Sequence, residues 1–265
     1  MESRTTRLLL RVASGGVLVF LYLPLVIIVV YAFNQSRIPA WPITHFSTKW
    51  FGTAWRNQDV RDAFVLSVKV GLGATGVALV LGSAAAFAVH RFRFFGRETV
   101  SFLLVLPLAL PGIITGLSLL SAFDYFSITR SVYTIIVAHA TFCMVVVYNN
   151  AVAALRRSGT SLQEASMDLG ADGWTTFRYV TLPSLSGALV AGGLLAFALS
   201  FDEVIVTLFV AGAQNTLPLW IYNELRLPNQ APQVNVVALA VILLTLVPVL
   251  LAQRLMRDTG GIARR

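Results

Sequence analysis

The sequence predicts an all-α membrane protein with six transmembrane helices and both termini in the cytoplasm. Three observations carry this. Of 265 residues, 57% are hydrophobic and only 12% charged, against about 25% charged in a soluble domain. The apolar residues fall in six long runs, near the ~20 residues that cross a bilayer core. The basic residues sit in short clusters between those runs, as topology signals do.

The six runs cover residues 12–33, 63–89, 100–123, 132–155, 185–212 and 234–251. The first is too long for a signal-peptide core and reads as a retained anchor. With a cytoplasmic N-terminus, the inside holds Arg4, Arg7, Arg11, Arg91, Arg93, Arg97, Arg156, Arg157, Arg178, Arg254, Arg257, Arg264 and Arg265. The outside holds fewer: Arg37, Lys49, Arg56, Arg61, Lys69, Arg130 and Arg226. The asymmetry puts both termini inside. The net charge of +8 therefore records topology and does not point to nucleic acid. The single cysteine, Cys143, allows neither an intrachain disulfide nor a cysteine-based metal site.

Between the first two runs, residues 34–62 carry Trp41, Trp50 and Trp55. Tryptophan favours the membrane–water interface, so this segment reads as an interfacial re-entry or as part of an external docking surface. The third run contains "LPLALPGIITG", with Pro107, Pro111, Gly112 and Gly116. Proline is tolerated in a membrane helix when neighbours satisfy the freed carbonyls. Gly71, Gly73, Gly76 and Gly82 in the second run, and Gly187, Gly192 and Gly193 in the fifth, allow close helix packing.

The loop at residues 156–183 lies on the cytoplasmic side. A helix can start near Ser161, with Glu164 at capping-box spacing, and Gly170 can end it in a left-handed conformation. A second short helix is expected over residues 173–180, with Pro183 opening the fifth span. A compact, partly apolar knob of this kind suits a cleft on a partner protein.

The pattern Glu164-Ala165-Ser166, then Gly170, then Val180, Leu182 and Pro183 resembles the "EAA" coupling loop of bacterial ABC importer permeases. Ser166 stands where the motif has alanine, and Val180 where it has isoleucine. The resemblance extends over most of the chain through "FNQS", "LPLALPGIITGLSLL", "HATFC", "EASMDLGADGWTTFRYVTLP", "LLAFALSFDEVIVTLFVAG", "TLPLWIY" and "NVVALAVIL". It is nearest to the spermidine/putrescine type (PotC/PotI-like, YdcV-like branch). The resemblance implies a type I ABC importer permease fold, a single transmembrane domain over residues 1–265, and residence in the bacterial cytoplasmic membrane. It implies a second related permease, two copies of an ABC ATPase and an external solute-binding protein as partners. It places Glu164, Ala165, Ser166, Asp168, Leu169, Gly170, Ala171 and Pro183 at or near the ATPase contact.

No enzyme chemistry is legible in this chain. A phosphate-binding loop needs Gly-Lys-Ser/Thr, and the two lysines, Lys49 and Lys69, follow Thr48 and Val68. ATP and Mg²⁺ are therefore expected on the partner ATPase, with no cofactor or metal here. His45, His90 and His139 are scattered and read as structural or interfacial.

The fifth run raises one further question, because Asp202 and Glu203 sit side by side within it. A charge at the bilayer centre costs roughly 2.5–3.5 kcal/mol on insertion scales and normally faces a cavity or a partner. On a continuous helix the pair lies only ~6–8 Å from the midpoint of the run. Steps of three and four put Gly192, Ala196, Ser200, Glu203 and Thr207 on one small, polar face. Glu203, Ser200 and Thr207 are thus expected to line a polar pathway or the partner interface. Asp202, about 100° round, is held by hydrogen bonds or by a partner chain. A cation path for polyamines, or a structural pairing, both fit. Another organic cation or amino compound is the alternative cargo within the class. A secondary transporter or a scaffold leaves the motif at 164–183 unexplained.

Overall fold

The computed structural model describes residues 4–38, 40–159, 161–227 and 229–261, the side chains of 245, 247–249 and 251–261 excepted. Arg264 and Arg265, which contribute to the expected orientation, lie outside the described residues. Every named element is helical. Four helices are long and apolar enough to cross a membrane, and a bent pair makes a fifth candidate. The chain divides into two compact units.

One unit comprises the described chain up to Arg61 and Trp220–Leu243. It opens with α1 (Arg4–Ala32), whose apolar side chains are mostly exposed and of which only the last residue, Ala32, is buried. The segment after it is a small built module. Asn34 and Phe46 form an antiparallel bridge, and Phe33 stacks on Phe51 at 5.1 Å. In α2 (Lys49–Arg56), Trp50 and Ala54 are buried. Trp50 Nε1 donates to the Asn34 carbonyl at 2.9 Å, with Lys49 Nζ 4.7 Å above its ring. The three tryptophans thus separate: Trp50 is a core residue of the module, while Trp41 and Trp55 remain 79% and 78% exposed.

The other unit holds Asp62–Leu219 and the described chain from Leu244. Most of α3 (Gln58–Arg91) belongs to it. The third predicted run is two helices, α4 (Arg97–Ala109) and α5 (Gly112–Tyr125), bent by 107°. The cause is Pro111. It forces Leu110 into extended backbone, at φ −81°, ψ 141°, and has no N–H to continue the ladder. Next come α6 (Val132–Ser158), α7 (Ser161–Asp168) and α8 (Gly173–Thr176). A π-turn at Phe177–Thr181 leads directly into α9 (Leu182–Phe201).

The fifth predicted run is also corrected. Its helix begins at the knob formed by residues 161–176 and stops at Phe201, and a separate short helix α10 (Ile205–Val210) follows. The chain then enters α11 (Leu217–Glu224) and α12 (Ala231–Gly261). The sixth predicted run lies in α12, whose described apolar stretch is Ala231–Leu244.

Small residues set the packing as the sequence leads one to expect. A methyl group at Gly116 of α5 would lie 2.5 Å from the Phe209 ring of α10, so the two half-helices after the breaks lie against each other. A methyl at Gly82 of α3 would stand 2.9 Å from the Met144 carbonyl oxygen and 3.1 Å from Val147 Cβ. The first of those neighbours is backbone and cannot swing aside. Gly82→Ala should therefore destabilise the chain by about 1–3 kcal/mol through overpacking. Gly76→Ala, where nothing lies within 4 Å, should be close to neutral. Thermal unfolding of the two variants in detergent or nanodiscs makes the comparison.

Candidate functional site

Two features carry chemistry, and both lie on the unit of Asp62–Leu219. The first is the knob of α7 and α8. Gly170, at φ +89°, ends α7 in a left-handed turn. Gly170 N–H donates to the Met167 carbonyl at 2.9 Å and Ala171 N–H to the Ser166 carbonyl at 3.1 Å. This double bond pattern closes a helix end wherever glycine can adopt the required φ. Asp172 then caps α8, accepting from Thr175 N–H at 2.7 Å. Bonds from the Thr175 side chain and backbone hold the Asp172 carboxyl below its ordinary range. The cap is complete above that range, and it is lost as pH falls through the lowered value.

Helix α7 begins at Ser161 itself, so Ser161 and Glu164 do not form the capping box that their spacing allows. Ser166 gains a role instead. Its Oγ lies 3.1 Å from Thr176 Oγ1 and ties α7 to α8. Glu164, Ala165, Asp168, Leu169 and Gly170 are exposed, with Leu169 90% so, while Ser166 and Ala171 are half-buried. On the inner side, Gln163 is buried and Phe177 packs edge-on against Phe87 of α3 at 5.1 Å. These residues, with Met167 and Thr181, line a cavity of about 310 Å³.

Pro183 opens α9 as expected, but the preceding helix runs into it without a break. It stands in the first turn of α9, past a helix that already runs through. A proline there lacks the N–H for the carbonyl four residues back and crowds it. The chain widens to a π-turn, in which Leu182 N–H reaches the Phe177 carbonyl. The knob is thereby the start of the membrane helix itself.

The second feature is the break after Phe201. Asp202, Glu203 and Val204 are not helical, Asp202 is exposed and Glu203 half-buried. The uninterrupted polar face expected over Ser200, Glu203 and Thr207 does not form, because that face required a continuous helix. Glu203 Oε1 accepts from Val206 N–H at 2.8 Å, capping α10. Thr207 Oγ1 donates to the Glu203 carbonyl at 2.8 Å. Ser200 and Thr207 are buried and meet His139 of α6, at 2.8 Å from Nδ1 and 2.8 Å from Nε2 respectively. Further along α6, Cys143 Sγ reaches the Ala196 carbonyl at 3.2 Å, and Thr134 Oγ1 lies 3.0 Å from that of Val210. His139 was not separable in the sequence from two other scattered histidines. The one available signal was its place in an otherwise apolar run. No group of His, Cys, Asp and Glu suited to a metal occurs among the described residues.

A family model described as binding-protein-dependent transport system inner membrane component matches residues 78–260. The putrescine transport system permease protein PotI of Escherichia coli K12 is 36% identical over 228 residues, 83% of this chain and 80% of that protein. The spermidine/putrescine transport system permease protein PotC of the same strain is 33% identical over 254 residues, 94% and 95% of the two chains. A putative 2-aminoethylphosphonate transport system permease protein, PhnV of Salmonella paratyphi A, is 28% identical over 219 residues, 80% of each. Among solved structures, a bacterial ABC transporter involved in import of the acidic polysaccharide alginate superposes with a TM-score of 0.71 at 15% identity, over 97% of this chain and 98% of that one. A second structure, of a bacterial alginate ABC transporter in complex with its alginate pentasaccharide-bound periplasmic protein, gives a TM-score of 0.66 at 17% identity, over 96% and 94%.

The bond from Val206 N–H separates two duties of Glu203. Glu203→Ala should remove the cap and expose a backbone donor, loosening α10 by about 1 kcal/mol. Glu203→Gln keeps an acceptor oxygen and should leave α10 in place. Amide hydrogen exchange over residues 204–210 distinguishes the two, with faster exchange in the alanine variant alone.

Proposed function

The chain belongs to the family of binding-protein-dependent transport system inner membrane components, and on that premise we propose that it is a permease subunit of an ATP-driven polyamine importer of the bacterial cytoplasmic membrane. Its expected companions are a second related permease, two copies of an ABC ATPase that hold ATP and Mg²⁺, and an external solute-binding protein. The observation that carries the reading is continuity. One helical segment, Gly173–Phe201, runs from the knob to the acidic break, a rise of roughly 40 Å.

The knob fits a groove by its chemistry. Glu164, Ala165, Asp168, Leu169 and Gly170 are exposed on α7 and its end, and Trp174 stands out beside them at 66% exposure. Ser166 and Ala171 shape the turn from behind. An ATPase that grips this surface moves Gly173–Thr176 and, through the π-turn before Pro183, the foot of α9. The far end of α9 carries Asp202 and Glu203, beside Ser200 and Thr207.

A diamine or spermidine presents separated ammonium groups. Two adjacent carboxylates outside a regular helix offer such a cation acceptor oxygens in a region where each charge alone costs roughly 2.5–3.5 kcal/mol. A cation at Asp202 lowers that cost, and so the pair serves best when cargo is present. Glu203 has one oxygen committed to Val206 N–H, whereas the exposed Asp202 has no such commitment in its reading as a ligand. The 28% relationship to a putative 2-aminoethylphosphonate permease favours one second reading, in which the cargo is another amino compound carried by the same machinery.

Transport by the complete complex in proteoliposomes tests this. Labelled putrescine or spermidine should enter only with ATP and binding protein. At matched abundance, Asp202→Asn should slow entry roughly tenfold, the weight of one charge-assisted hydrogen bond, and Glu203→Gln should slow it less. Entry of neither polyamine in wild type refutes the cargo. In a separate arm, Gly170→Val forces a branched side chain into a left-handed turn at a strain of about 1–2 kcal/mol. Import should fall in that variant while the complex still hydrolyses ATP. Unaltered coupling between hydrolysis and import removes the knob from the ATPase contact.

A further inference from the structure

His139 is fully buried, and neither the transport reaction nor the coupling loop uses it so far. Its position is nonetheless specific. The two ring nitrogens each meet one hydroxyl, and the two hydroxyls belong to opposite sides of the break. Ser200 is in the last turn of α9, and Thr207 is in α10.

Asp202, Glu203 and Val204 intervene as non-helical residues between Ser200 and Thr207. Two bonds of 2.8 Å through one imidazole fasten both sides of that break to the same residue of α6. The bridge therefore holds the end of α9 and the start of α10 in a fixed relation.

The protons can be placed by counting. Thr207 donates its hydroxyl proton to the Glu203 carbonyl, a group that the break has released from the helical ladder. Its oxygen is left to accept from Nε2–H of His139. Nδ1 of the neutral ring then accepts from the Ser200 hydroxyl. The chain His139–Thr207–Glu203 is thus continuous, and the peptide that follows Glu203 is pinned from the α6 side. The ring itself is held by Phe142, 5.4 Å away.

We propose that His139 is the positioning residue of the acidic break: by bridging Ser200 and Thr207 it holds Asp202 and Glu203 out of the helix, in the geometry that a cationic cargo meets. This rests on the reading of the acids as part of the cargo path. His139 touches no cargo in this scheme and acts only through the two hydroxyls.

The test uses the complete importer in nanodiscs and proteoliposomes with two variants. His139→Phe keeps a ring of similar size and removes both bonds. His139→Gln restores a donor and an acceptor on one head. Amide exchange over residues 202–207 should rise roughly tenfold or more in His139→Phe, the loss expected for two buried bonds, and return most of the way in His139→Gln. Putrescine import per assembled complex should fall several-fold in His139→Phe while ATP hydrolysis persists, so that more ATP is spent per putrescine, with recovery in His139→Gln. Unchanged exchange at 202–207 overturns the proposal. So does faster exchange with import intact, and so does a loss of assembly in which import and hydrolysis fall in proportion, since that marks a purely structural residue. If the wild-type complex carries no polyamine, the cargo reading fails, and the exchange measurement alone still decides whether His139 holds the break.

Discussion

A peptide group in the core of a bilayer has no water to bond, so each interruption of a helix there must find its partners within the protein. This constraint organises the unit that carries the acids. Two helices are interrupted, one at Leu110–Pro111 and one at Asp202–Val204. Their second halves, α5 and α10, lie against each other through Gly116 and Phe209. Beside them α6 is unbroken for 27 residues. Three of its polar side chains, Thr134, His139 and Cys143, meet Val210, the pair Ser200 and Thr207, and Ala196. A straight helix thus supplies the partners that a broken one lacks. The carboxylate of Glu203 supplies one more, from within the break.

The fold class was legible because it follows from amounts: long apolar runs and clustered arginines leave few alternatives. The knob was legible because its parts are local. Gly170 must adopt a left-handed turn, Asp172 sits just ahead of a short helix, and both do what their types favour. The two helix breaks were legible to different degrees. At Leu110–Pro111 a proline and a glycine mark the place, although not the angle of 107°. At Asp202–Val204 there is neither, and the surrounding residues read equally well as helix. The contacts that span that break are tertiary: a histidine 61 residues earlier and hydroxyls placed to meet it. Periodicity over Ser200, Glu203 and Thr207 could not reveal it, since periodicity presumes a regular helix there. The same limit applies to Trp50, which composition groups with Trp41 and Trp55 and which the Asn34 carbonyl takes into a core.

Pro183 shows how a local defect can join elements that it was expected to separate. Read as punctuation, it divides loop from span. In the folded chain it stands in the first turn of α9, and the π-turn before it absorbs the missing bond. A π-turn inside an α-helix is rare and occurs frequently at functional sites. Between Gly173 and Phe201 the π-turn is the one departure from α-helical bonding.

That placement has a mechanical consequence. A lever clamped by α6 near its tip transmits displacement to the tip only if the knob moves as a body. The knob is built for this. Ser166 bonds Thr176 across its two helices, Phe177 stacks on Trp174 at 5.7 Å, and Gly170 closes the turn with two backbone bonds. In the proposed importer, a knob so tied would move as a body, and α9 would carry its displacement toward the α6 contacts at Ser200 and Ala196. Ser166, which stands where the coupling motif has alanine, supplies the side-chain bond that ties α7 to α8.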